Sequence, residues 1–130
     1  MTHPNEGLVR AASAAFARGD LDGLRGQFLD DNVVWHIAGT GPLAGDYTGA
    51  EQVIELMGKI SAMVGGSVKP DIHDVLVSDD HTVALASIHA QRGNKKIQLN
   101  LVHIIHSENG KATEIWTQSH DPAGAAQFWS

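Results

Sequence analysis

Residues 81–120, HTVALASIHAQRGNKKIQLNLVHIIHSENGKATEIWTQSH, decide the fold. Runs of alternating and β-branched residues are broken there by two turn signals, Gly93-Asn94 and Asn109-Gly110. Asn-Gly between such runs is the strongest short hairpin signal, because the tight primed turns need positive φ. The stretch therefore reads as strands over 82–91, 95–107 and 111–120. With two-residue loops, Arg92 faces Lys95 and Glu108 faces Lys111. Counting outward then puts Ala84, Ala86, Ile88, Leu99, Leu101, His103, Ile105 and Trp116 on one face. The other face receives Val83, Leu85, Ser87, His89, Asn100, Val102, Ile104, Ile115, Thr117 and Ser119.

Outward from that core, residues 68–78 read as a further strand ahead of an Asp79-Asp80-His81 turn. Residues 33–37 (VVWHI) read as another, with Trp35 and His36 on opposite faces. Residues 39–49 (GTGPLAGDYTG) are rich in glycine and read as a loop. That loop ends in Thr48-Gly49-Ala50-Glu51, a capping-box pattern. Val53, Ile54, Met57, Ile60 and Val64 then recur at helical spacing, and Gly65-Gly66 ends that helix. Two short helices lead the chain: one on Leu8, Ala12, Ala15 and Phe16, the other capped by Asp20 and running to Phe28. Gly23 and Gly26 each weaken the second by about 1 kcal/mol relative to Ala. PAGAAQFWS is a short tail helix. Helices ahead of a run of hairpin strands give an α+β fold. It is a curved antiparallel sheet with three helices packed on one face.

The 130 residues fit one domain spanning 1–130. Hydrophobic residues form 42% of the chain, and the formal charge is −6. An acidic chain lacks the electrostatic footprint of a nucleic-acid binder. There are no cysteines, so thiolate metal sites and cysteine nucleophiles are excluded. No apolar run is long enough to span a membrane, and the first residues lack a signal-peptide layout, so a cytoplasmic protein is expected. Eight histidines against nine Lys plus Arg is the unusual balance.

The face carrying Val83, Leu85, Val102 and Ile104 at one end and Ser87, His89, Asn100, Thr117 and Ser119 at the other has the make-up of a small-molecule pocket. The opposite face, with Ile88, Leu99 and Leu101, is too apolar for water and needs helices or a second subunit over it. His103 and His106 lie on opposite faces of one strand and cannot share an ion, and no other metal spacing is present.

Val33-Val34-Trp35-His36-Ile37-Ala38-Gly39, followed by Pro42-Leu43-Ala44-Gly45-Asp46-Tyr47-Thr48-Gly49, resembles the SnoaL-like polyketide-cyclase group. That group sits in the nuclear-transport-factor-2-like superfamily with the ketosteroid isomerases. The resemblance runs over nearly the whole chain. It implies a cone-shaped, cystatin-like α+β roll, a deep pocket between sheet and helices, and a homodimer formed through the sheet. It implies no single activity, because that superfamily holds isomerases, cyclases, dehydratases, epoxide hydrolases and binding proteins. His36 falls where the isomerases carry a general-base aspartate, but their two oxyanion donors correspond here to no Tyr and to Val102.

Two readings stay open. In one, a cofactor-free isomerase, cyclase or dehydratase acts on a hydrophobic carbonyl compound, with His36 as base and His89 as a second proton carrier or orienting group. Trp35, Tyr47, Asn100, Val102, Thr117 and Ser119 line its pocket. In the other, the same pocket only binds a small hydrophobic molecule. Neither reading calls for a metal.

Overall fold

In the computed structural model, which describes residues 4–64 and 69–130, both hairpins close on the residues expected. Asn109 (φ 53°) and Gly110 (φ 78°) both sit in the left-handed region, as a type I′ turn requires. Gly93 (φ 61°) alone does so at the other turn. Arg92 pairs with Lys95, and Glu108 with Lys111.

The elements are α1 (Pro4–Ala17), α2 (Leu21–Gly23), a π-helical turn (Leu24–Phe28), β1 (Leu29–Ile37), β2 (Gly45–Thr48), α3 (Ala50–Met63), β3 (Lys69–Val77), β4 (His81–Arg92), β5 (Lys95–Glu108), β6 (Lys111–Ser119) and α4 (Pro122–Trp129). The sheet runs β2-β1-β6-β5-β4-β3. One face carries the helices. There Val33 and Trp35 share a core with Val53, Leu56 and Met57 of α3 and with Val9 and Ala15 of α1. The fold is the α+β roll expected, with α4 as a fourth helix.

Several local expectations need correction. The sheet is not wholly antiparallel, because β1 lies parallel to β6. Residues 45–48, read as loop, form the edge strand β2 against β1. The second helix lasts one turn and widens into the π-helical stretch around Gly26, where helix propensity is low. Asp20 still caps it, accepting from Gly23 N–H at 3.0 Å. The capping box on Thr48 and Glu51 does not form. Gly49 is the cap residue of α3, Gln52 Oε1 accepts the Thr48 N–H at 2.9 Å, and Glu51 pairs with Arg25 instead. The Gly65-Gly66 stop lies outside the described residues.

The correction that matters most is in β6. The register slips by one residue, with His106 opposite Glu114 but Ser107 opposite Ala112. Thr113 is the extra residue of this bulge. Its hydroxyl donates to the His106 carbonyl at 3.1 Å and accepts from His106 Nδ1 at 2.8 Å. Past the bulge every β6 side chain changes face, so Thr117, not Trp116, lies opposite His103. Ile115, Thr117 and Ser119 join Leu99, Leu101 and His103 on the helix-covered face. Trp116 and Gln118 join Val102 and Ile104 on the outer one.

Candidate functional site

The helix-covered face does not pack solid. Between it and α1, α3 and α4 lies a cavity of about 230 Å³. Ala86, Ile88, Leu99 and Leu101 form its floor, Phe16, Met57 and Ile60 its helical side, and Trp129 and Ala126 its α4 side. Residues 38, 41, 43 and 44 of the β1–β2 loop close one end. No Asp, Glu, Lys or Arg lies among the described wall residues; the polar side chains there are those of Ser13, His103, Thr117 and Ser119.

α4 is seated by its own chemistry. Pro122 opens it, Asp121 Oδ1 accepts from Gly124 N–H at 3.0 Å, and Arg92 Nη1 donates to the carbonyls of Phe128 (3.2 Å) and Ser130 (2.6 Å). The loop meets it at Gly41, where a Cβ would lie 2.7 Å from Ala126 Cα.

Three side chains on β1, β6 and β5 form a directed chain of hydrogen bonds. Trp35 Nε1 lies 2.8 Å from Thr117 Oγ1, which lies 2.8 Å from His103 Nδ1. An indole N–H only donates, so the Thr117 oxygen accepts there. Its own proton is then free to go to His103 Nδ1. This assignment puts the imidazole proton on Nε2, which has no partner among the described residues. Burial drives the His103 pKa down to about 4, so the ring is neutral near pH 7. The result is a largely apolar cavity in which a neutral His103, backed by Thr117 and Trp35, stands among the few polar groups of the wall.

Residues 9–115 match the family model described as a SnoaL-like domain. The chain belongs to the SnoaL-like family. An uncharacterized protein of Mycobacterium tuberculosis H37Rv is 32% identical over 124 residues, covering 95% of this chain and 94% of that one. Bal32a, from a soil-derived mobile gene cassette, is 30% identical with a TM-score of 0.92, over 98% of this chain and 97% of its own. An NTF2-like protein of unknown function from Burkholderia pseudomallei shares the fold, with a TM-score of 0.83 at 24% identity over 99% of both chains.

Within this SnoaL-like frame, the residues singled out from the sequence divide. Trp35, Thr117 and Ser119 lie on the cavity wall. Asn100 and Val102 do not: both point to the outer face, where Asn100 Oδ1 accepts from Ser87 Oγ at 2.9 Å. Tyr47 is not among the wall residues either; its hydroxyl donates to the Leu43 carbonyl at 2.8 Å. His89 is exposed on the outer face, opposite Gln98. Of the two covers expected over Ile88, Leu99 and Leu101, helices or a second subunit, the structure has the helices, with the cavity between.

His36 was expected to face the helices. Strand alternation sends Trp35 and Ile37 to the cavity and His36 to the other side. There its Nδ1 lies 2.7 Å from Asp46 Oδ1 on β2, and its Nε2 2.6 Å from Glu114 Oε2 on β6. Its ring stacks on Trp116 at 5.7 Å between centroids. Two ionised carboxylates accept only, so both bonds exist together only in the imidazolium. Hydrogen bonds it donates to Asp46 first, then to Glu114, raise its pKa. His36 thus ties three strands together and does not reach the cavity. His103 is the histidine that does. The hairpin count already sets His103 on one face with Leu99 and Leu101; the missing signal is which face the helices cover.

Among the described residues, no group of three or more His, Asp or Glu is arranged to hold a metal ion. No described helix is long and apolar enough to cross a membrane.

Proposed function

We propose that this SnoaL-like protein binds a small, largely apolar molecule in the cavity between sheet and helices. The observation that carries this is the apolar wall interrupted by a few polar side chains, those of Ser13, His103, Thr117 and Ser119, the usual composition of a ligand site. The volume of about 230 Å³ exceeds the roughly 150 Å³ of a dry apolar cavity known to admit benzene. A molecule of one or two rings suits it.

The cavity favours holding over transforming. Abstracting a proton from carbon needs a general base within reach of the bound molecule. No carboxylate lies on the described wall, His36 and His89 lie on the other side of the sheet, and Nδ1 of His103 is already engaged with Thr117 Oγ1 at 2.8 Å. Binding of tetralin, followed by NMR, tests the reading. Leu101→Trp puts a larger ring into the cavity and is expected to weaken tetralin by more than tenfold while the fold melts as before. Wild-type protein that takes up no tetralin, or a Leu101→Trp variant that binds it equally well, refutes it.

We infer from a separate observation that two copies associate through the outer sheet face. Leu76, Val83, Ile104 and Trp116 form a row of paired positions across β3 to β6, with Leu85 and Val102 beside it. Leu76 is 53% exposed in the isolated chain. A continuous apolar stripe of this kind is uncommon on a face that only meets water.

A further inference from the structure

We propose that His81 and His106 form a two-imidazole site for a divalent late transition-metal ion, of the nickel, copper and zinc class, on the outer face of the sheet. The site is separate from the cavity and does not depend on the reading given to it.

The β4–β5 register sets the two residues directly opposite each other, and their ring centroids lie 5.0 Å apart at an interplanar angle of 66°. An ion about 2.1 Å from one nitrogen of each ring, at a near-tetrahedral angle, leaves ring centres about 5 Å apart. The pair sits two positions beyond Val83 and Ile104, past the apolar row, at the end of the sheet where the β3–β4 and β5–β6 turns lie. His81 is exposed and His106 half-buried, so an ion reaches the pair from solvent.

The hydrogen bonding of His106 is the second observation. The Thr113 hydroxyl gives its proton to the His106 carbonyl at 3.1 Å, so toward Nδ1, 2.8 Å away, it can only accept. That puts the imidazole proton on Nδ1 and leaves the lone pair on Nε2, the nitrogen free to take a metal. A hydrogen bond from the nitrogen that does not ligate is the usual support of a metal-bound histidine. Thr113 is the bulge residue of β6, and bulges recur where a side chain must be re-aimed. The ring of His81 makes no hydrogen bond among the described residues, so its lone pair is open as well.

The surrounding charge suits a cation. Glu114 stands opposite His106 on β6, and with His36 charged, His36, Asp46 and Glu114 together carry one net negative charge. Imidazole also sets the class of ion, since magnesium and calcium take oxygen ligands while nickel, copper and zinc take nitrogen. Two paired strands hold the second ring beside the first, so it joins as an intramolecular ligand at high effective concentration. Water fills the remaining positions.

The experiment titrates the tag-free full chain with zinc chloride and, separately, nickel chloride by calorimetry, and follows zinc by ¹⁵N NMR of the histidine rings. The expected result is one ion per chain, with ligation shifts on His81 and on Nε2 of His106 while Nδ1 of His106 keeps its proton. His81→Ala, at an exposed position, should weaken binding by more than about tenfold, and Thr113→Val, which removes the support behind the ring, by about tenfold. His89→Ala, exposed on the same face but away from the pair, should leave the affinity unchanged, and magnesium chloride should give no shift at either ring.

No binding at millimolar zinc or nickel overturns the proposal and leaves the two rings as a packing contact only. An affinity unchanged in His81→Ala, or lost equally in His89→Ala, overturns it by assigning the ion to other surface histidines. Ligation through Nδ1 of His106 overturns it as well. Should Thr113→Val not fold, His81→Ala and the ¹⁵N spectrum of the native protein decide.

Discussion

His36 and His103 lie on opposite faces of the sheet, and their surroundings push their proton affinities in opposite directions. His36 is held charged by Asp46 and Glu114, so its folded pKa lies above the usual value near 6.5. Its contribution to stability is fully present below that value and is lost as pH rises through the folded pKa. His103 is held neutral by burial, with a folded pKa of about 4. Between 6.5 and 4 the unfolded chain binds a proton that the folded chain does not, so stability falls as pH is lowered through that range, by on the order of 3 kcal/mol in all. Taken together, the two histidines place a stability maximum near pH 6.5. Thermal melts from pH 4 to 9 should show both limbs. His36→Gln should flatten the alkaline limb alone, and His103→Leu the acid limb alone. Loss of both limbs in either variant would contradict the assignment. The sequence made the abundance of histidine visible, and strand alternation alone separates Trp35 from His36. Which of the two faces the cavity depends on which side the helices cover, and both faces are apolar enough to invite them.

The elements that were legible owe it to strong local chemistry. Asn109-Gly110 fits a turn that needs two positive φ angles, and Asp20 and Asp121 cap because each carboxylate finds the N–H three residues on. Those that were missed are set by partners distant in sequence. Gly45–Thr48 is four residues in a glycine-rich stretch and becomes a strand only because β1 offers it an edge. The bulge at Thr113 has no composition signal, yet it turns Thr117 toward His103. The contact between the β1–β2 loop and α4 is equally silent in the sequence. Gly41→Ala would place a methyl against the α4 backbone. Overpacking of this sort costs about 1–3 kcal/mol. The variant is expected to melt lower and to show faster amide hydrogen exchange across residues 122–129. Unchanged protection of α4 would mean that the loop and helix do not bear on each other.

At the scale of the whole molecule, the sheet has one face sealed by helices and one face bare. Self-association through the bare face predicts a dimer by sedimentation at micromolar concentration. An interface of that kind should bury more than about 1,000 Å² in total. Ile104→Arg, at the middle of the apolar row, should yield folded monomers, and a wild-type chain that sediments as a monomer would exclude the arrangement. The pairing of β1 has a further consequence, for the order of events during synthesis. β1 is flanked by β2, which follows it closely in the chain, and by β6, which does not; His36 and Glu114, which touch, stand 78 residues apart. Contacts of such separation close late, because the loop entropy is lost before the pairing repays it. A nascent chain emerging from the ribosome can assemble the β3–β6 meander from neighbouring hairpins as each appears. Its first strand must wait with one edge open until β6 is made, and through that interval Val33, Trp35 and Ile37 have only α1, α2 and α3 to shelter them.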